Sequence, residues 1–142
     1  MSGASEKYRL SGIFTKTELV VEYMEGWNIV GLPLYVEDAS YDTLFSDAVN
    51  GTLYGYEGSY YGSDVLEAGN GYWLVFTNDG SADISGEAIT SLTISLSEGW
   101  NLITGISSPV AVELISDPGD IIVSGTIYGY GGSYYNADAI EP

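Results

Sequence analysis

Two short stretches of the chain gather tyrosines at matching spacing: Tyr56, Tyr60 and Tyr61, then Tyr130, Tyr134 and Tyr135. Rings of this kind on hairpins suit sugar binding, where exposed aromatic faces stack on pyranose rings and carboxylates or amides frame them. Strand alternation requires some of these rings to point outward if the others point inward. The competing reading is aromatic packing within and between the stretches. A second candidate is a hard-cation site in Asn78-Asp79-Gly80-Ser81-Ala82-Asp83. Its oxygens suit calcium, with Asn78, Asp79 and Asp83 as candidate ligands. The segment lacks the full loop pattern and distal glutamate of an EF-hand, and it reads equally as a plain hairpin turn. Asp117-Pro118-Gly119-Asp120 is a weaker version of the same idea.

Catalysis needs groups that titrate or attack near neutral pH. The chain has no histidine and no cysteine, and its three basic residues, Lys7, Arg9 and Lys16, all lie near the N-terminus. Triads and lysine chemistry are therefore closed. Paired carboxylates remain in principle, with Glu37, Asp38, Asp42 and Asp64 as examples. Among 20 acidic residues no pair stands out. No catalytic residue is assigned, the chain reads as a non-enzyme, and no cofactor other than calcium is implied.

The tyrosine stretches belong to a longer internal repeat. Thr52-Leu53-Tyr54-Gly55-Tyr56-Glu57-Gly58-Ser59-Tyr60-Tyr61 returns as Thr126-Ile127-Tyr128-Gly129-Tyr130-Gly131-Gly132-Ser133-Tyr134-Tyr135, and Glu25-Gly26-Trp27-Asn28-Ile29 returns as Glu98-Gly99-Trp100-Asn101-Leu102. Repetition replaces the question of one fold by that of one unit used twice. Units of about 70 residues sit near the lower limit for an adequate core, so the copies are expected to share an interface.

The bulk numbers set the outer limits. A net charge of −17 over 142 residues repels phosphate backbones and anionic membranes, so nucleic acid is excluded as a partner. Absence of cysteine removes disulfides and soft-metal sites. No apolar run approaches the length of a membrane span, so membrane insertion is not expected. The opening Met1-Ser2-Gly3-Ala4-Ser5 does not read as a signal peptide.

The elements that must carry these residues are strands. Leu92-Thr93-Ile94-Ser95-Leu96 alternates, with Leu19, Val21 and Tyr23 at the matching positions of the first copy. A three-residue loop, Ser97-Glu98-Gly99, places Leu96 opposite Trp100 and Ile94 opposite Leu102, with Gly99 left-handed. Met24-Glu25-Gly26 is expected to do the same, making Trp27 and Trp100, with Trp73, core anchors. A two-residue loop, Glu57-Gly58, places Tyr54 opposite Tyr61 and Gly55 opposite Tyr60, and Gly131-Gly132 repeats this. Gly71-Tyr72-Trp73-Leu74-Val75-Phe76 reads as a buried strand, turned by Asn78-Asp79-Gly80 into Ala82-Asp83-Ile84-Ser85-Gly86. Asp38 to Phe45 suits one short helix, and Val110 to Ile115 is its weaker counterpart.

In order, these pieces resemble a repeat of secreted bacterial surface proteins. Gly26-Trp27-Asn28-Ile29-Val30-Gly31-Leu32-Pro33 matches its opening, Tyr54-Gly55-Tyr56 its hairpin, and Leu66-Glu67-Ala68-Gly69-Asn70-Gly71-Tyr72-Trp73 its closing segment. The resemblance implies a stalk or adhesive module of a long extracellular protein and supplies no catalytic residues. Asn70 departs from the usual lysine. The second copy reaches Ile140-Glu141-Pro142 where the first continues into Gly69-Asn70-Gly71-Tyr72-Trp73, so its buried strand is not seen.

These readings predict an all-β protein with at most one or two short helical turns. Residues 18–90 form a first β-repeat and 91–142 a second lacking its last strands, as a sandwich or small open barrels. Residues 1–17 are a segment whose Leu10-Ser11-Gly12 resembles Ile84-Ser85-Gly86 and that would complete the second repeat, within its chain or in a neighbour. The expected function is a non-catalytic extracellular structural or adhesive module of a bacterial surface protein, self-assembling by strand complementation. Its partners are then itself or neighbouring repeats. The alternative is a carbohydrate-binding module that takes polysaccharide on its tyrosine hairpins.

Overall fold

The computed structural model of the protein describes residues 16–142. The chain is all-β. The strands of its first part are β1 (Thr17–Tyr23), β2 (Gly26–Val30), β3 (Leu34–Tyr35), β4 (Tyr54–Tyr56), β5 (Tyr60–Gly62), β6 (Tyr72–Phe76) and β7 (Gly80–Ala88). They are followed by β8 (Val110–Ala111), β9 (Tyr128–Tyr130), β10 (Tyr134–Asn136) and β11 (Ala139–Ile140). One helix, α1 (Tyr41–Leu44), and a 3-10 turn at Val112–Leu114 occupy the two helical positions read from the sequence. The sheets are open antiparallel ones, and among the described residues no helix is long and apolar enough to cross a membrane.

The buried run predicted at 71–76 is β6, and it alternates. Tyr72, Leu74 and Phe76 point into the core, whereas Trp73 and Val75 stay partly exposed on the other face. β6 is an inner strand of the order β2-β6-β4-β5. After the turn at residues 77–79 the chain continues as β7 in a second sheet, β1-β7-β3. Thr17 to Tyr23 pair with Gly86 to Gly80, and Leu34 and Tyr35 pair with Ala88 and Glu87. The inner faces of both sheets share one cluster that includes Tyr23, Val30, Leu53, Leu74, Phe76 and Ile84. Tyr23 stacks on Phe76 with ring centroids 3.7 Å apart, and Phe45 meets the same ring edge-on at 6.0 Å.

The predicted hairpin at residues 24–26 is not formed. β1 pairs with β7 and β2 pairs with β6, so the two flanking strands lie in different sheets. Gly26 is left-handed as expected (φ 96°), and so is Gly99 (φ 95°), but each serves a corner. Asn28 replaces the hydrogen bonds that a hairpin would have supplied. Its Oδ1 accepts from Met24 N (3.0 Å), and its Nδ2 donates to Met24 O (2.8 Å) and Gly26 O (3.1 Å). Asn101 makes the same three bonds to Ser97 and Gly99. The corner sends Tyr23 inward and Trp27 outward, which also corrects the assignment of the tryptophans to the core. Trp27 is 45% exposed and Trp100 66%.

The tyrosine hairpins are shifted by one residue from the predicted register. Tyr54 faces Gly62, Gly55 faces Tyr61 and Tyr56 faces Tyr60 across a three-residue loop. In the second hairpin Tyr128 faces Asn136, Gly129 faces Tyr135 and Tyr130 faces Tyr134. The reason lies at Gly55 and Gly129. The rings of Tyr61 and Tyr135 lie over them where any Cβ would overlap, so only the glycine can sit opposite that ring. The shift also places two tyrosines directly opposite on the other face, where cross-strand aromatic pairs are favourable.

The second copy reproduces the local structure of the first. Ser63 N donates to Leu53 O and Ala137 N to Ile127 O, both at 3.0 Å, while Tyr41 N reaches Asp64 O and Val112 N reaches Asp138 O. It does not reproduce the core. Leu92, Ile94 and Leu96 alternate half-buried against exposed Thr93 and Ser95, yet among the described residues no ladder strand pairs with them. Of the segment 1–17 expected to complete this copy, residues 1–15, Leu10-Ser11-Gly12 among them, lie outside the described residues, and Thr17 pairs with Gly86 of the first copy.

Truncation at equivalent positions should separate the two copies. Leu53 is 1% exposed, whereas Ile127 is only half-buried. Leu53→Ala should destabilise by about 2–5 kcal/mol and Ile127→Ala by less than half as much, measured by denaturant unfolding. Equal losses would mean that the second copy is as well covered as the first.

Candidate functional site: an aromatic face shared by the two copies

The outer face of the β2-β6-β4-β5 sheet is built from the side chains that alternation turns away from the core. Trp27 on β2, Trp73 on β6 and Tyr54 on β4 stand together there. Trp27 lies 6.2 Å from Tyr54 and 6.4 Å from Trp73, the latter edge-to-face at 90°. β4 reaches β6 at the Tyr54–Trp73 backbone pair, and Trp27 contacts the rings of both.

The structure brings four of the six predicted tyrosines into two pairs. Tyr56 and Tyr60 meet at 5.0 Å, and Tyr130 and Tyr134 at 5.2 Å, both edge-to-face. The second pair closes on the first copy. Tyr130 packs 4.9 Å from Trp73 at 80°, and Tyr134 lies 6.5 Å from it at 88°. Edge-to-face contacts of this kind are worth about 0.5–1.5 kcal/mol beyond area burial. Tyr61 and Tyr135 do not join these pairs, since they lie over Gly55 and Gly129 on the opposite side of their hairpins. The Tyr61 phenol is held above its ordinary value by burial first, then by Tyr72, Glu57 and Glu67 and a hydrogen bond with Tyr72.

Backbone contacts continue the same junction. Gly71 N donates to Leu102 O at 2.9 Å and Thr104 N to Gly69 O at 3.1 Å, around an isolated bridge between Asn70 and Ile103. Thr104 Oγ1 donates to Asn70 O at 3.0 Å, and Ser107 Oγ donates to Pro33 O at 2.6 Å. Sequence reasoning missed Trp100 and Tyr128, which lie 5.9 Å apart as an exposed pair and repeat the Trp27–Tyr54 contact. The exact recurrence of Gly-Trp-Asn and Tyr-Gly-Tyr was the available signal, and alternation from the corner glycine would have turned the tryptophan outward.

Two of the candidate cation ligands carry local hydrogen bonds. Asp79 Oδ1 accepts from Glu25 N at 2.8 Å and so braces the corner, while Asn78 Nδ2 donates to Thr77 Oγ1 at 3.3 Å. Asp83 is an exposed residue of β7 opposite Val20. Among the described residues no three acidic groups gather as they would around a metal ion. Asp38 is also engaged locally. It accepts from Ser40 N, Ser40 Oγ and Thr43 Oγ1 at the start of α1, and these bonds lower its carboxyl below the ordinary value.

A polar cleft of about 350 Å³ lies at the other end of the core, lined by Tyr23, Asp47, Asn78, Asp79 and Ser81 among others. Tyr23 donates to Asp47 Oδ2 at 3.2 Å. Its phenol is raised above its ordinary value by burial first, and then by the charge and hydrogen bond of Asp47. Comparison with known proteins finds no matching family model, no matching curated protein and no matching solved structure.

The Tyr23 shift has a definite sign. A raised folded-state value favours the protonated phenol, so its contribution is complete below the unfolded value and lost as pH rises through the folded one. The stability difference between wild type and Tyr23→Phe should therefore stay constant below the ordinary phenol range and move in favour of the variant as pH rises through the raised folded-state value. Thermal midpoints across that range check it, and a flat difference to the end of the titration would contradict it.

Proposed function

We propose that the protein is a non-catalytic structural and adhesive module of the cell exterior whose repeat units assemble on one another. The observation that carries this reading is the clasp between the copies. The Tyr130–Tyr134 pair closes on Trp73 while the Asn70–Ile103 bridge joins the backbones. In this reading the tyrosine hairpin is a docking element between units. The acidic surface, without any lysine, arginine or histidine after Lys16, favours solubility and gives no nucleophile-and-base pair. The extracellular placement rests on the resemblance to surface-protein repeats.

One observation favours polysaccharide binding as a second reading. Trp100 and Tyr128 form an adjacent pair of exposed rings. The four predicted tyrosines that pair do so edge-on, two of them against Trp73, so a sugar-binding face would centre on the exposed Trp100 with Tyr128 beside it.

Replacing the clasp should separate the two readings. Tyr130→Ala with Tyr134→Ala should destabilise by about 1–3 kcal/mol through two lost contacts with one indole. The checks are the thermal midpoint and quenching of tryptophan emission. Unchanged stability, together with binding to polysaccharides on a glycan panel that Trp100→Ala abolishes, would overturn the docking role in favour of the sugar-binding one.

A further inference from the structure

The two copies agree where packing gives least reason for it. Buried Tyr23, Val30, Leu53 and Leu66 of the first copy stand as Leu96, Ile103, Ile127 and Ile140 in the second. Trp27, Tyr54 and Tyr60, all exposed, stand unchanged as Trp100, Tyr128 and Tyr134. Part of this agreement has a structural cause. Gly26 and Asn28 build the corner, Gly55 lies beneath Tyr61, and Tyr130 and Tyr134 close on Trp73. Trp27 and Tyr54 have no such duty. Among the described residues their ring contacts stay within the first copy. Exposed aromatic residues that related units keep while their core residues drift point to binding.

The pair also keeps its geometry. Trp27 and Tyr54 lie 6.2 Å apart with their planes inclined at 54°, and Trp100 and Tyr128 lie 5.9 Å apart at the same 54°. In the first copy β6 is in place between β2 and β4, and Trp27 and Tyr54 are still 45% and 37% exposed. The exposed pair is therefore a property of the unit itself. Two rings at this inclination do not lie flat on one another, and they form the floor and wall of a shallow trough. Rings this close leave no room between them to enclose a cationic group. An inclined indole and phenol accept one further six-membered ring, stacked by its C–H face on the indole while the phenol hydroxyl bonds to its rim. A pyranose with equatorial hydroxyls has that shape, with a flat apolar face and a polar edge.

Charge narrows the class. The chain has net charge −17 and no lysine, arginine or histidine after Lys16, so polymers that carry carboxylate, sulfate or phosphate groups are repelled. A neutral polymer is not. Glu25 and Glu98, both exposed, stand two residues before the tryptophan in each copy, and a carboxylate accepts hydrogen bonds from sugar hydroxyls.

We propose that each Trp–Tyr pair is a pyranose subsite, Trp27–Tyr54 in the first copy and Trp100–Tyr128 in the second, and that the chain holds a neutral gluco- or xylo-configured polysaccharide at these two points. Two subsites on one chain raise the affinity for a polymer about 10²–10⁴-fold over either alone. The proposal rests on the adhesive half of the reading above and names its ligand. It leaves the clasp intact, because Trp73, Tyr130 and Tyr134 join the copies while the two pairs face solvent.

The test is affinity electrophoresis of the full chain through gels containing hydroxyethyl cellulose or xylan, with heparin as the polyanionic control. Retardation by at least one of the two neutral polymers is expected, with or without added salt, and none by heparin. Trp27→Ala and Trp100→Ala should each weaken binding about a hundredfold or more, and the two together should abolish it. Both indoles are exposed, so thermal midpoints should stay near that of the wild type. Trp27→Tyr and Trp100→Tyr, which keep an aromatic face, should retain most of the binding and serve where the alanine variants do not fold. No retardation by either neutral polymer overturns the proposal. Retardation that salt removes also overturns it, because charge and not stacking then holds the ligand. A single alanine variant that binds as well as the wild type overturns the two-point claim. Self-association that the double alanine variant abolishes, without retardation, overturns it too, since the pairs then meet another protein surface. The clasp is read separately, from the stability of Tyr130→Ala with Tyr134→Ala, a variant that should still be retarded.

Discussion

The structure depends on one strand having two different faces. β6 places Tyr72, Leu74 and Phe76 in the core and Trp73 and Val75 outside it. The inner three bind the two sheets of the first copy into one cluster, with Phe76 held between Tyr23 and Phe45. The outer tryptophan receives the second copy. Burial of a large apolar side chain is worth about 1.5–3 kcal/mol, so a unit near the lower size limit for a stable core relies heavily on this segment. The corner at Gly26 exists for the same reason. It frees β1 and β2 from each other so that each can pair with one arm of the β6–β7 hairpin.

Much of this was legible in the residues. The alternation of Leu92, Ile94 and Leu96, the apolar run from Tyr72 to Phe76, the turn around Asn78 and Asp79 and the short helix near Tyr41 all follow from period and composition. What was not legible was pairing between elements. A glycine in a left-handed position marks a reversal, but the same glycine serves a hairpin or a corner. The choice was made by Asn28, whose side chain satisfies Met24 and Gly26 and so removes the need for a ladder between β1 and β2. The tyrosine register failed by one residue for a related reason. Loop length alone favoured two residues, whereas the Tyr61 ring needed a position without a Cβ beneath it.

The candidate site was half readable. The tyrosines were identified by repetition, but their division was not. Tyr56, Tyr60, Tyr130 and Tyr134 form edge-on pairs, while Tyr61 and Tyr135 cover glycines on the other face. The tryptophans were assigned to the core because their neighbours are apolar, yet strand alternation from the corner outward decides their direction. Asp79 was selected for its oxygens, and one of them, Oδ1, accepts from the backbone N of Glu25.

The contact between Gly31 and Thr104 carries a consequence for identity. Any side chain on Gly31 would run into the threonine, so the first copy can receive the second only where it carries a single hydrogen. The two copies are therefore not interchangeable at their junction: the place four residues after the tryptophan is bare in one and filled in the other, and the imperfection of the repeat is what lets its halves meet.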